Sequence, residues 1–250
     1  LPITYNEPLS MLQRCIEPFQ NYNLLDKAYN ESNLEDTFCY LSAFVISEYC
    51  FNINRLLKPF NPILGETYEY IDKENGFIAF SEQVSHHPPI SAYLVESSKI
   101  TVFGDSKNKH KFLLIKGSLE ITFSSKINIL FHNENVKIDE RANTANHHFQ
   151  YNRPFMYIKG LIYGNPHYDC SGIVKIEDLK NSEVYSELNF FEDGKKGKPF
   201  GYVEGKVYKN SKVKYIIKGN WTDSVDLYDL DNNKLKSLWK VRNDEFLTNT

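Results

Sequence analysis

The chain has 250 residues and a formal net charge of -3, with 41% hydrophobic and 24% charged residues, which is typical of an ordered globular protein with a sizeable core. This charge excludes the broad basic field of a nucleic-acid-binding protein, so any anion site must be local. No apolar run reaches the roughly 18 residues of a membrane-spanning helix.

Cysteine usage and the first residues indicate where the protein works. The four cysteines form no C-x-x-C pair, and a chain of this length does not need disulfides, so a reducing compartment is expected. Leu1–Ile3 has neither the basic flank nor the apolar stretch of a signal peptide. The sequence therefore predicts a cytoplasmic protein that associates with membranes only peripherally. The cysteines are Cys15, Cys39, Cys50 and Cys170.

Two helices are predicted before any strand. Residues 6–29 are expected to form a helix and its exit, with Asn6 as the cap, Pro8 in the first turn and Pro18 as its end or a kink. A second helix should begin near Ser32, which forms a capping box with Glu35. Its apolar stripe is Leu34, Phe38, Leu41, Val45 and Tyr49.

From Gly65 onward the hydrophobic period changes from helical to alternating, which predicts strands. Many short strands with tight turns and hardly any helix between them favour an antiparallel meander. The sequence therefore predicts a mainly β fold, an incomplete or closed antiparallel barrel from about Gly65 to Trp239. The strand-like pieces include 67–71, 77–80, 93–95, 100–103, 119–123, 127–131, 155–163, 173–176, 187–191, 203–208 and 213–217.

Two loops outside these strands have polar or basic compositions. His147 and His148 lie in the polar stretch 143–150, which is expected to be an exposed loop. Lys195–Pro199 is expected to be a solvated loop, or alternatively a segment that helps the protein approach an anionic membrane.

The stretch Glu82–Ala92 has an unusual local chemistry, since His86 and His87 are followed directly by two prolines. Proline disfavours helix for the residue before it, so this arm should be stiff and extended. Neighbouring side chains of an extended segment point to opposite faces. Both histidines can therefore contact one ligand only if the chain bends or lies across the mouth of a pocket.

A second proline-stiffened arm, Leu57–Thr67, carries Lys58 and Asn61. Lysine supplies a point charge with three donors, and asparagine adds an amide donor. Histidines beside a phosphate dianion favour the protonated, donating form. This set of side chains is typical of a phosphomonoester site, and an apolar barrel with such a mouth would suit a phosphorylated amphiphile.

Two other classes of function are open. His86, His87 and Glu82 could bind zinc or act as acid and base in a hydrolase. However, adjacent histidines in one extended run do not easily ligate a single ion, and no G-x-S-x-G, H-E-x-x-H or P-loop motif is present. No enzyme activity, metal or cofactor is therefore predicted. A lipid sensor or tether that binds without transferring is the other alternative.

The two arms resemble the paired signatures of the oxysterol-binding protein related family, Lys-Pro-x-Asn-Pro-x-Leu-Gly-Glu and Glu-Gln-Val-Ser-His-His-Pro-Pro-x-Ser-Ala. The resemblance runs from residue 1 to about Trp221. Further matching segments are Asn6–Ser10, Leu24–Ala28, Gly117–Glu120 and Val203–Val207.

The resemblance implies a barrel around a hydrophobic tunnel that binds phosphatidylinositol 4-phosphate and, in exchange, a sterol or phosphatidylserine. The implied headgroup residues are Lys58, Asn61, His86 and His87. The family also has an N-terminal lid and a Lys, Glu and Arg on a C-terminal helix. Neither is found here, and Val241–Thr250 cannot be aligned with that helix, so a single lipid-binding domain over residues 1–250 is expected without them. Lipids and a membrane surface are the implied partners, with no nucleic acid.

Overall fold

In the computed structural model, which describes residues 3–133, 145–162 and 164–241, helices come first and an antiparallel sheet follows. The helices are α1 (Met11–Ile16), α2 (Asn23–Asn30) and α3 (Leu34–Ser47). The strands are β1 (Asn6–Ser10), β2 (Lys58–Phe60), β3 (Thr67–Asp72), β4 (Phe77–His86), β5 (Pro89–Glu96), β6 (Ile100–Asp105), β7 (Asn108–Leu113), β8 (Ser118–Phe123), β9 (Ile127–Phe131), β10 (His147–Tyr151), β11 (Phe155–Lys159), β12 (His167–Asp178), β13 (Val184–Phe190), β14 (Tyr202–Lys209), β15 (Lys212–Asn220), β16 (Ser224–Tyr228) and β17 (Lys234–Lys240).

The first predicted helix does not start at Asn6. Residues Asn6–Ser10 are extended and pair in parallel with β2, and the Asn6 side-chain amide donates to the carbonyl of Pro59 at 3.3 Å. This long-range pairing overrides the local capping signal. The helix begins after Ser10, and α1 ends at Ile16. Pro18 lies in the first turn of the 3₁₀ helix Glu17–Asn21, which confirms the predicted break.

Helix α3 begins one residue later than predicted and is more deeply buried. Its cap is Asn33, whose Oδ1 accepts from the backbone N–H of Asp36 at 2.9 Å, so the Ser32–Glu35 capping box was wrong. The predicted stripe faces the core, but residues on the opposite side, such as Cys39 and Ile46, are also fully buried. A helix that is covered on most of its faces lies inside its domain.

The sheet curls around α3 without closing. Strands follow the order β17-β16-β15-β14-β13-β12-β10-β9-β6-β5-β4-β3, with β11, β8 and β7 branching from β12. In the described part of the chain, β3 and β17 are therefore the two open edges of this path. Helix α3 packs against β12 to β17, which places the core between helix and sheet. The predicted mainly β, incomplete antiparallel barrel preceded by two helices is confirmed, with the first helix divided into α1 and α2.

Three local predictions need correction. His147 and His148 lie on β10 rather than in a loop, because their strand fills the gap between β9 and β12. The predicted strand 155–163 ends at Lys159, and Tyr163 lies outside the described residues. Strand β7, which is rich in lysine, was not predicted from the pattern. The four cysteines are free and buried.

Register defines which loops share an end of the sheet. We call the end that carries the β4–β5 turn the hairpin end. Paired residues on neighbouring strands show which residues lie level with each other from β5 across to β12. These pairs are Ala92–Asp105, Phe103–Asn128, Ile127–Tyr151 and Tyr151–Ile176. The β11–β12 and β13–β14 loops therefore also lie at the hairpin end, and the β16–β17 turn lies at the opposite end. No helix within the described ranges is both long and apolar enough to cross a membrane.

Candidate functional site

The two histidines are brought together by a bend in the chain. Strand β4 ends at His86 and β5 starts at Pro89, and the His87–Pro88 peptide bond in the turn between them is cis. The turn breaks the alternation of a straight strand, so the two imidazole centroids lie 4.8 Å apart. His86 is half-buried and His87 is exposed. The sequence leaves open either a bend in the chain or an extended segment across the mouth of a pocket, and the structure shows a bend.

The Lys58 arm lies against this turn. The imidazole Nδ1 of His86 is 3.2 Å from the carbonyl oxygen of Pro62, which can only accept, so Nδ1 carries the proton and Nε2 is left for another partner. The two segments are also joined by backbone bonds from Gly65 N–H to the Gln83 carbonyl at 2.9 Å and from Gln83 N–H to the Glu66 carbonyl at 3.0 Å. The arm and the histidine turn therefore form one rigid corner.

Lys58 and Asn61 are exposed on the arm. Among the residues that the structure describes, no hydrogen bond or ion pair joins either side chain to His86 or His87. The structure thus brings the two histidines together and places the arm beside them, while the two other predicted side chains keep their donors available.

Four charged residues hold the base of the arm, and sequence analysis did not single them out. Arg55 donates to Glu7 at 2.6 Å and to Glu17 at 2.8 Å, and Arg14 lies 3.5 Å from Glu7 and 3.6 Å from Glu17. Their side chains are only 7 to 19% exposed. We call this set the ion bracket. It links β1 and α1 to the residues that lead into Lys58.

A second polar group of residues lies inside the barrel. Tyr151 on β10 donates to the carboxylate of Glu48 at the end of α3, and Arg153, Tyr49 and Tyr93 surround this pair. Burial raises the pKa of Glu48 to about 7, although the Tyr151 hydrogen bond and Arg153 oppose the rise. Glu48 and Arg153 are deeply enclosed but not fully buried.

In the described residues, no group of three or more His, Cys, Asp or Glu side chains converges. His147 donates instead to Asp178 at 2.7 Å, and the Nε2 of His148 lies 2.9 Å from Asn128 Oδ1. Both histidines of the second doublet therefore have structural partners.

A sequence profile of the family described as "Oxysterol-binding protein" matches residues 1–248. The chain belongs to the oxysterol-binding protein family. It is 34% identical over 228 residues to oxysterol-binding protein homolog 2 of Saccharomyces cerevisiae, covering 90% of this chain and 17% of that protein. It is 34% identical over 227 residues to human oxysterol-binding protein-related protein 3, covering 90% of this chain and 24% of that protein.

Solved structures of the family share the fold. The Osh1 ORD domain in complex with cholesterol superposes with a TM-score of 0.84 at 28% identity, covering 97% of this chain and 59% of that one. The Osh3 ORD of Saccharomyces cerevisiae in complex with PI(4)P gives a TM-score of 0.79 at 26% identity, covering 97% and 61%. The chain thus spans less than two thirds of the length of these relatives. The family is one of lipid-binding proteins rather than enzymes.

Proposed function

We propose that this chain binds phosphatidylinositol 4-phosphate and exchanges it for a sterol or another lipid between membranes. The observation that carries the proposal is the corner where the paired imidazoles of His86 and His87 meet the end of the Lys58 arm. A cation, an amide and two switchable imidazoles around one exposed corner suit a phosphate, because each can donate to it.

The headgroup would be held by Lys58, Asn61, His86 and His87. The fixed Nδ1 bond of His86 to Pro62 aims its Nε2 away from the arm. His87 is exposed and needs no rearrangement to meet an anion. Imidazolium N–H groups would donate charge-assisted hydrogen bonds to a phosphate dianion. The solved PI(4)P complex of a relative with the same fold supports this ligand class.

The interior around α3 would hold the lipid tails or the second lipid. Glu48 and Arg153 would form a polar end in an otherwise apolar space. Because a domain of this size has room for about one lipid-sized cavity, of roughly 300–1,000 Å³, the two ligands should exclude each other. The cholesterol complex of a relative supports a sterol as the second lipid.

This function implies a single lipid-binding domain over residues 1–250 that acts in the cytoplasm and associates with membranes peripherally. The phosphoinositide difference between two membranes would then drive transport of the other lipid. A sensor or tether would bind the same lipids without moving them.

The test is lipid extraction from liposomes by wild type and by the double variant His86→Ala, His87→Ala. Losing two charge-assisted hydrogen bonds, each contributing about 1.5–3 kcal/mol, should weaken phosphoinositide extraction by roughly a hundredfold or more. Sterol extraction and melting temperature should change little, since the pair lies at the surface. Lys58→Ala should act in the same direction, and Lys73→Ala, an exposed lysine at the opposite end of the sheet, is its matched control.

Three outcomes would contradict the proposal. Unchanged phosphoinositide extraction by the double variant would remove the headgroup site. Stoichiometric zinc in wild type that is absent from the double variant would indicate a metal centre. Binding of both lipids to one molecule with undiminished affinities would exclude exchange, and binding without transfer between liposomes would identify a sensor.

A further inference from the structure

Two turns at the hairpin end of the sheet expose large aliphatic side chains. In the β7–β8 turn, Leu114 is 74% and Ile115 is 100% exposed. In the β11–β12 loop, Leu161 is 44% and Ile162 is 47% exposed. Single exposed leucines are ordinary on protein surfaces, but a group of four at the tips of two loops is not.

The two turns form one surface. The backbone N–H of Leu161 donates to the carbonyl of Gly117 at 3.0 Å. Gly117 ends the β7–β8 turn with a φ of +55°, and a Cβ there would come within 3.1 Å of Ile162 Cβ. This close approach fixes the two turns side by side. We call Leu114, Ile115, Leu161 and Ile162 the aliphatic tip.

Basic residues lie beside the aliphatic tip, although the chain as a whole is acidic. The segment 106–119 contains no Asp or Glu and has four exposed lysines. Lys116 lies in the β7–β8 turn and Lys111 lies on β7 near it, and we call these two the basic collar. Lys107 and Lys109 lie farther from the turn, and His110 is also exposed. Strand β7 pairs only with β8 in the described sheet, so Lys109 and Lys111 lie on an edge strand.

A neighbouring loop lies near the basic collar. Glu192, after β13, accepts from Lys159 at 2.9 Å, and this bond together with the charges of Lys116 and Lys195 holds the pKa of Glu192 below its usual value. Lys159 also bonds Asp169 at 2.6 Å, so this cation is shared between two carboxylates. The acidic group across the ladder from Lys111 is Glu120, which offsets only one of the collar lysines. Among the described residues, neither Lys111 nor Lys116 is in an ion pair, so both can contact lipid phosphates.

Strand register places the tip at the same end of the barrel as the candidate headgroup site. Strand β12 runs from the β11–β12 loop toward the opposite end, and the pairs from β12 back to β5 put its start on the His86–Pro89 side. If the tip contacts a membrane, the candidate headgroup site faces that membrane and the opposite end of the sheet faces away from it.

We propose that the aliphatic tip is a docking surface for an anionic lipid bilayer, with the side chains of Leu114 and Ile115 entering the boundary of the acyl chains and the collar lysines contacting lipid phosphates. The shape favours a bilayer over a protein partner, because two narrow, convex turns offer little area for a complementary protein face. Exposed aliphatic groups beside lysines are what an interfacial membrane anchor requires. This inference rests on the proposed function for its lipid context, but not on the headgroup residues.

The experiment is flotation of the whole chain with vesicles of phosphatidylcholine and phosphatidylglycerol that contain neither phosphoinositide nor phosphatidylserine. The variant Leu114→Asp, Ile115→Asp should bind at least about tenfold more weakly, because two aliphatic side chains no longer leave water. Lys111→Glu, Lys116→Glu should also weaken binding, by about fivefold for each lysine lost, and this effect should fade in high salt. The matched control is Leu230→Asp, which changes a 59% exposed leucine in the β16–β17 turn at the opposite end.

The controls separate this inference from the headgroup site. The His86→Ala, His87→Ala variant should float like wild type on these vesicles, whatever its phosphoinositide extraction does. The inference is overturned if wild type does not bind anionic vesicles, or if the tip variant and Leu230→Asp bind equally. It is also overturned if the tip change only disperses a wild-type dimer in sedimentation experiments, since the tip would then cover a second copy of the chain.

Discussion

Tyr151 and Glu48 meet inside the barrel, where the phenol hydroxyl donates to the carboxylate at 2.5 Å and joins β10 to the end of α3. Burial of the phenol keeps it protonated, because burial raises the pKa of Tyr151 far above its usual value. The pair therefore has a fixed donor and an acceptor whose charge depends on pH.

The first prediction follows from that acceptor. Because the pKa of Glu48 is raised from 4.5 to about 7, the folded state keeps a proton that the unfolded state releases between these values. This carboxyl therefore stabilises the fold most below pH 4.5, and its contribution falls as pH rises toward 7. Relative to Glu48→Gln, wild type should lose on the order of 3 kcal/mol of unfolding free energy across this window. Urea unfolding at pH 5, 6 and 7.5 measures it.

Glu183→Gln is the control for this pH series, because Glu183 is exposed at a turn. This variant should have the same change of unfolding free energy with pH as wild type. A Glu48→Gln variant with the same pH dependence as wild type would show that Glu48 is not the titrating group.

The second prediction concerns the ion bracket. Arg55→Met leaves Glu7 and Glu17 with only the longer contacts to Arg14, so an uncompensated carboxylate remains in a mostly buried place. The cost should be about 3 kcal/mol. Hydrogen exchange in the arm that follows Arg55 should also accelerate, because the base of that arm is no longer held.

The double variant Arg55→Met, Glu17→Gln should recover part of this loss, since it removes one cation and one anion together. If the two single losses simply add, the bracket does not act as a unit. Denaturant unfolding of the four proteins in this cycle decides between the two.

The third prediction concerns close backbone contact at the β15–β16 hairpin. A Cβ at Gly219 would lie 2.2 Å from the Ser224 carbonyl oxygen, so one of two paired backbones must move. Gly219→Ala should therefore lower the unfolding free energy by at least about 2 kcal/mol. Gly194→Ala, in a loop with no atom within 4 Å and a φ of +68°, should cost only about 1 kcal/mol. Similar melting temperatures for the two variants would contradict the prediction.

The fourth prediction concerns how the Asp178 carboxylate, which is bonded to His147, makes the stability of the fold depend on pH. Burial by itself would raise the pKa of Asp178, but hydrogen bonds from His147 and from the backbone N–H groups of Lys180 and His148 outweigh it and lower the pKa below 3.8. Asp178 thus stabilises the fold above that pH, and its contribution disappears as pH falls through the lowered pKa. Asp178→Asn should be less stable at pH 7 and lose less on acidification to pH 3, as thermal melts will show. Asp231→Asn, exposed in a turn, should melt like wild type at both values.

The sequence by itself determined the β class, the order of most strands and the family, since alternation and turn residues act locally and the two proline-rich motifs are contiguous. It also identified His86, His87, Lys58 and Asn61 as candidates, and their roles remain a proposal. The conflict at Asn6 shows the limit of local signals, because a good helix cap became a strand once Pro59 was near it.

Tertiary structure alone decided what lies side by side. Glu48 and Tyr151, or Glu7 and Arg55, are far apart in the chain, and no periodicity reports that their charges meet. His147 looked like part of an exposed polar loop, but pairing of β10 with β9 and β12 made it a partner of Asp178. Contacts between distant residues form only when the sheet curls around α3, so their energies and pKa shifts depend on the fold rather than on local sequence.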